Sequence, residues 1–266
     1  MKYKVGFIGC GNMASAIIGG LINNANIKAS EIIAADASEA AIKKASDNLN
    51  INTTLDNKEV ASSSEVLFLS VKPQFYETVI AEIKDTISDN QIVVTIAPGK
   101  TLAWLAERIG GNVKIVRTMP NTPALVGEGI TAVCKNSLVN EEEFSYIMSL
   151  LKSFGLAEGI SESLMDVVVS VSSSSPAYVF MFIEAMADAA VLDGMPRDKA
   201  YKFAAQAVLG SAKMVIETGK HPGELKDMVC SPAGTTIEAV RVLEEKGFRS
   251  SIIEAMKACT DKSRSL

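Results

Sequence analysis

The chain has 266 residues, 48% hydrophobic and 21% charged, a composition that excludes intrinsic disorder and leaves room for one large domain or two modest ones. A net charge of −5 excludes a general nucleic-acid binder, and 6% aromatic residues are too few for a base-stacking surface. One histidine, His221, excludes a His-rich metal site, and the scattered Cys10, Cys134, Cys230 and Cys259 form no C-x-x-C pair, which points to reduced thiols in a cytoplasmic protein.

Met1-Lys2-Tyr3-Lys4 leads into a short apolar run with no long h-region, so no signal peptide is expected. The first two thirds then alternate short β-branched runs with helical patterns. The runs are Val5–Ile8, Glu31–Ala35, Val66–Val71, Ile92–Ile96 and Val113–Val116. Being continuous rather than alternating, they suit parallel strands covered on both faces. Between them Met13–Asn23, Glu39–Asn48, Tyr76–Thr86 and Leu102–Arg108 carry helical periodicity. Asn140–Phe154 reads as a further helix and Leu156–Ile160 as a short extended piece. This rhythm predicts a doubly wound α/β sheet.

Near Ser161-Glu162-Ser163 the rhythm changes, which sets an expected boundary between domains of residues 1–160 and 161–266. Helical patterns follow at Val179–Leu192, Asp198–Glu217, Thr236–Lys246 and Ser250–Lys262, with no convincing strand. Tyr178–Leu192 is the most apolar stretch, but Glu184 and Asp188 interrupt it, so it reads as a buried helix rather than a membrane span. Small helical bundles rich in Ala, Met and Val often bury more surface by pairing with a copy of themselves.

The strongest motif is Gly9-Cys10-Gly11-Asn12-Met13-Ala14, a G-x-G-x-x-A run between a strand and a helix. That is the context a dinucleotide fingerprint requires. Gly9 permits the tight turn, Gly11 lets the backbone approach a pyrophosphate, and Ala14 keeps helix and strand close. The helix N-terminus then stabilises the anion. The acidic residue about 20 positions on is Asp36. Its carboxylate would accept from an adenosine ribose 2′-OH and repel a 2′-phosphate, which favours NAD over NADP. Asp36-Ala37-Ser38 is equally an ordinary helix start, and both readings stand.

Ligands of open α/β sheets sit outside the carboxyl ends of strands. Ser70-Val71-Lys72-Pro73 and Ala97-Pro98-Gly99 occupy two such ends, so Lys72 is placed to face a cofactor. Arg117-Thr118-Met119-Pro120-Asn121-Thr122-Pro123-Ala124 ends a third, in a loop stiffened by two prolines. In the second part, Ser172 to Tyr178 and Cys230-Ser231-Pro232-Ala233-Gly234-Thr235-Thr236 each precede a helix, where free N–H groups cap or hold an anion. His221, beside Pro222, reads as structural.

Together these segments resemble the pyrroline-5-carboxylate reductases over essentially the whole chain. The blocks are Phe7 to Ala14, Val71-Lys72-Pro73, Met119 to Ala124, Ser174-x-Pro176-Ala177-Tyr178, His221-Pro222-Gly223-Glu224-Leu225-Lys226-Asp227 and Ser231-Pro232-x-Gly234-x-Thr236. The resemblance implies a Rossmann-type sheet with a C-terminal all-helical dimerisation domain, and reduction of 1-pyrroline-5-carboxylate to L-proline with NADPH or NADH. It implies that Asn57 helps hold the cofactor ribose and that Ser70, Val71, Lys72, Pro73, Ala97, Gly99 and Glu162 line the nicotinamide side. It also implies that Gly234, Thr235 and Thr236 hold the substrate carboxylate, with the Thr236 hydroxyl near the ring nitrogen. Thr236 and Lys72 are thus the catalytic candidates. Homodimers, in the family often assembled into decamers, are implied. Serines stand at 173 and 175 where the family often has glycine, and a positive φ at either would be strained. Other two-domain dehydrogenases share such a fold, but Lys213 and Lys226 sit in no matching motif.

Overall fold

The computed structural model describes residues 1–110 and 112–265. The strands are β1 (Tyr3–Ile8), β2 (Ile32–Ala35), β3 (Asn52–Thr54), β4 (Ser64–Leu69), β5 (Ile92–Thr95), β6 (Lys114–Met119), β7 (Gly129–Lys135) and β8 (Gly155–Gly159). Helices α1 (Asn12–Asn24), α2 (Glu39–Leu49), α3 (Asn57–Ser63), α4 (Tyr76–Ile83), α5 (Leu102–Ile109) and α6 (Glu141–Leu151) connect them. The short α7 (Met165–Val168) runs into a π-helical turn over Val169–Ser173, then α8 (Ser175–Leu192). The chain continues through α9 (Arg197–Thr218), α10 (Pro222–Val229), α11 (Thr235–Glu245) and α12 (Phe248–Arg264). Contacts divide it into a sheet unit, Met1–Ser174 with residues from Cys259 onward, and a helical unit, Ser175–Ala258.

The sheet runs β3-β2-β1-β4-β5-β6-β7-β8, parallel except for the antiparallel β6–β7 pair. Every residue of β2 and β5 is buried, as their continuous apolar sequences require. One core cluster gathers Ile17, Ile18 and Leu21 of α1 with Phe7 and Phe68, whose rings stack at 4.8 Å. The second gathers Tyr76, Val79, Ile80 and Ile83 of α4 with Leu105 and Ile109 of α5. The chain order reverses between β1 and β4, and this switch point opens a crevice outside their carboxyl ends.

Several elements go beyond the sequence expectations: β3, β7, α3, α7 and α10. β7 alternates buried and exposed residues only at its start and follows the proline-rich turn Thr122–Val126, which masks it. The last turn of α12 packs within the sheet unit, where Ser263 Oγ donates to the Asp166 carboxylate at 2.8 Å and Thr260 Oγ1 lies 2.9 Å from Ser170 Oγ.

In the helical unit α8 and α9 pack across the Asp193–Pro196 turn, and Arg197 pairs with Asp188. His221 N-caps α10, its Nδ1 accepting from Gly223 N at 3.0 Å, which is the structural role expected. The expectation that Tyr178–Leu192 is a buried helix is overturned: in α8 only Ala187 is buried, and Phe180 and Met181 are 64% and 68% exposed. A helix that is apolar all round signals that it will be covered, not by what. Across Ser175–Ala258 only Ala187, Ala200 and Ala204 are buried, too small a core to hold such a unit.

Candidate active site

The fingerprint turn closes at the switch point. Gly9 N donates to Ala35 O at 2.7 Å and Ser70 N to Ile8 O at 2.8 Å, so the ends of β1, β2 and β4 are laced together. Gly9 has φ +104°, and a Cβ there would lie 2.7 Å from Ser70 O. Both the conformation and the close approach require glycine. Gly11 differs: it N-caps α1 in extended conformation, and a Cβ there would meet no atom within 4 Å. Packing does not demand this glycine, and its lack of a Cβ leaves open space at the helix N-terminus. Asn12 and Met13 open α1, and Ala14 is buried against the sheet.

A crevice of about 480 Å³ is lined by Gly9, Gly11, Asp36, Asn57, Ser70, Val71, Lys72 and Glu82, among others. Ser70 Oγ is buried there without a hydrogen-bond partner, a polar atom that a bound ligand can satisfy. The open space at Gly11 and this orphaned hydroxyl both fit a dinucleotide. Asp36 faces the same crevice, its Oδ2 accepting from Cys10 N at 2.8 Å and Oδ1 from Ser38 N at 2.9 Å. Each carboxylate oxygen keeps a further lone pair for a ribose hydroxyl. Burial first, then the Asp36 charge, pushes the Cys10 thiol up to about 12, so it stays protonated and unreactive at neutral pH.

Asn57, the first residue of α3, donates from Nδ2 to Glu82 Oε2 at 2.8 Å. Lys72 N-caps the short turn Pro73–Phe75 and is exposed on the crevice rim. Sequence reasoning missed Glu82 and Tyr76. The buried Tyr76 hydroxyl donates to Leu69 O at 2.6 Å and lies 2.8 Å from Thr95 Oγ1, tying the ends of β4 and β5. The apolar face of α4 offered the only signal for either.

Beyond β5, Ala97 is buried and Gly99 has φ +75°. Glu162 Oε1 accepts from Leu102 N at 2.7 Å, just after this loop, and from Arg117 Nη1 at 2.9 Å. The structure therefore brings Gly9, Gly11, Asp36, Asn57, Ser70, Val71 and Lys72 to one crevice, whereas Cys10, Asn12, Met13, Ala14 and Pro73 adjoin these residues in the chain without lining it. It places Ala97, Gly99 and Glu162 around the loop that follows the next strand.

Gly234, Thr235 and Thr236 lie in the helical unit and form a group of their own. Gly234 N-caps α11, and both threonines are exposed in its first turn, where backbone N–H groups lack intrahelical acceptors. Gly234 N donates to Ser231 O at 3.1 Å, and Ala233 takes the left-handed φ of +53° that makes this turn tight. Ser173 and Ser175 are not among the described residues with positive φ, so serine is unstrained at both.

Sheet order, glycine turn and crevice define a nucleotide-binding doubly wound protein with an appended helical unit. A family model described as "Pyrroline-5-carboxylate reductase dimerisation" matches residues 162–266, and one described as "NADP oxidoreductase coenzyme F420-dependent" matches residues 4–99. A pyrroline-5-carboxylate reductase of Escherichia coli is 54% identical over 266 residues, covering 100% of this chain and 99% of that protein. One from Methanosarcina acetivorans is 40% identical over 263 residues, covering 99% and 97%. The crystal structure of Plasmodium falciparum pyrroline carboxylate reductase with NADP bound superposes with a TM-score of 0.90 at 32% identity, covering 100% of this chain and 98% of that one. The chain belongs to the pyrroline-5-carboxylate reductase family.

Proposed function

We propose that this chain reduces 1-pyrroline-5-carboxylate to L-proline, the last step of proline biosynthesis, with NADPH or NADH. One observation carries the reading: the chain that forms a dinucleotide crevice at its switch point aligns, helical unit included, over its full length with reductases of this name. NAD(P)H, when bound, supplies a hydride to the carbon of the substrate C=N bond.

The residues of the chain position the reactants. Gly9, Cys10, Gly11, Asn12, Met13 and Ala14 hold the pyrophosphate with the N-terminus of α1, and Asp36 and Asn57 hold the adenosine ribose. Ser70, Val71, Lys72, Pro73, Ala97 and Gly99 bound the nicotinamide side, with Glu162 behind the last of these loops. Gly234, Thr235 and Thr236 hold the substrate carboxylate on the free N–H groups of α11, and the Thr236 hydroxyl orients the ring nitrogen. The imine is reduced as its iminium cation, whose proton arrives with the substrate, so no histidine is needed. Holding two reactants in order supplies much of the acceleration.

Residues 1–160 serve as the dinucleotide domain and 161–266 as the substrate and dimerisation domain. The uncovered apolar faces of α8 and α9 are met by a second copy, in a soluble cytoplasmic homodimer that can assemble further into decamers. Neither nucleic acid nor membrane is a partner. The stretch Glu162–Leu192 is long and apolar enough to cross a bilayer, but its first half is anchored in the sheet unit through Asp166 and Ser170.

Thr236→Ala is expected to raise KM for the imine about tenfold, the worth of one hydrogen bond to a charged group, while leaving the dissociation constant for NADPH unchanged. A variant with wild-type KM would remove Thr236 from the site, and wild-type enzyme without turnover would remove the reaction. Asp36→Asn keeps an acceptor for Cys10 N but removes the charge. It is expected to raise the NADPH:NADH ratio of kcat/KM about tenfold, since a lost like charge beside a phosphate is worth about 1 kcal/mol or more. An unchanged ratio would confine Asp36 to bracing the turn.

A further inference from the structure

We infer that Arg117 is a positioning residue for the cofactor, acting through Glu162 on the loop that follows β5. The inference rests on the reading of the crevice as a NAD(P)H site. Arg117 lies in β6, paired with Thr95 of β5 on one side and Cys134 of β7 on the other. Its side chain is only 4% exposed, and its Nε is buried without a partner. Among the described residues its ion pair runs from Nη1 to Glu162 Oε1 at 2.9 Å. The same carboxylate oxygen accepts from the backbone N–H of Leu102, the first residue of α5, at 2.7 Å. One oxygen thus joins the middle of the sheet to the N-terminus of the helix that ends the Ala97–Gly99 loop.

Stability alone gives no reason for this arrangement. A buried guanidinium with an unsatisfied Nε is costly, and apolar residues in place of buried ion pairs are often neutral or stabilising. The pair does fix geometry. The other end of the loop is already held by Thr95, whose Oγ1 meets Tyr76 and whose carbonyl accepts from Thr118 Oγ1 at 2.8 Å. Thr101 Oγ1 caps the first turn of α5 by accepting from Trp104 N at 3.0 Å. Glu162 supplies the remaining tether at Leu102, and the ion pair with Arg117 keeps the Glu162 carboxylate aimed there. The loop thereby keeps one shape beside β4, whose end lines the crevice.

Trp104, the single tryptophan, sits in that first turn with Lys100 Nζ 4.6 Å and Arg108 Cζ 4.1 Å from its ring. It reports on the tether without any turnover. The test compares Arg117→Met, Arg117→Lys and Glu162→Gln with wild type. It measures acrylamide quenching of Trp104, thermal midpoint, and calorimetric binding of NADPH and NADH. Arg117→Met is expected to weaken binding of the preferred cofactor about tenfold and to increase quenching, with a thermal midpoint near wild type, because Glu162 is 33% exposed and can hydrate. Arg117→Lys should restore most of both changes. Should Arg117→Met fail to fold, Glu162→Gln keeps an acceptor for Leu102 N, and the same changes at smaller size are expected of it. Wild-type binding and quenching in the folded variants, or a lysine variant no better than methionine, would overturn the inference. Wild-type protein that binds neither cofactor would overturn the reading of the crevice instead, and Trp104 quenching would still test the tether.

Discussion

Gly9→Ala is expected to lose both stability and dinucleotide binding, whereas Gly11→Val is expected to lose binding alone. At Gly9 the backbone is left-handed, with φ +104°, and an added Cβ would press to 2.7 Å against the carbonyl of Ser70, the residue after β4. Holding a non-glycine residue there costs about 1–3 kcal/mol. Relief by moving β1 away from β4 would break the lacing that forms the crevice. At Gly11 the side chain enters open space, so the protein without ligand has nothing to strain. The same side chain displaces a pyrophosphate from the N–H groups of α1. Losing two charge-assisted hydrogen bonds is worth on the order of 100-fold in affinity. Thermal melting and calorimetric titration with NADPH separate the two cases. A Gly11→Val protein that binds as tightly as wild type would place the pyrophosphate elsewhere.

A Phe180→Asp, Met181→Asp double variant is expected to dissociate the proposed homodimer. These neighbours on α8 are 64% and 68% exposed in the single chain, in a unit that buries only three alanines. Burying each side chain against a second copy contributes about 1.5–3 kcal/mol. A two-fold interface counts each substitution twice, and two carboxylates placed in apolar surroundings add a desolvation cost. The dissociation constant is therefore expected to rise by at least about 1,000-fold, with loss of turnover. Sedimentation of wild type and variant at equal concentration reads this directly. A wild-type monomer with full activity would contradict the dimer.

What the sequence made legible was local. The fingerprint turn could be read because strand, glycines and helix are consecutive, and Asp36 because its place follows from the next strand. The parallel core strands were visible as continuous apolar runs. β7 was hidden because it follows a proline-rich turn and pairs antiparallel to β6, breaking the alternating rhythm. α3 escaped because Asn57–Ser63 is short and mostly polar. The Arg117–Glu162 pair spans 45 positions, and no periodicity links residues so far apart. The helix at Ser175–Leu192 shows a different limit. Its apolar character was plain, but hydrophobicity does not say whether the cover comes from the same chain or from a copy. His221 was read as structural from its place in a turn beside Pro222; the helix α10 that its Nδ1 caps was not foreseen, because Pro222–Val229 is short and mixed in character.

The most direct measurement is consumption of NADPH and of NADH, in separate reactions, by wild-type protein supplied with 1-pyrroline-5-carboxylate, with the product identified chromatographically. The account predicts that one dinucleotide is oxidised for each L-proline formed, saturably in both reactants. Dinucleotide binding without consumption, or consumption without L-proline, would contradict it.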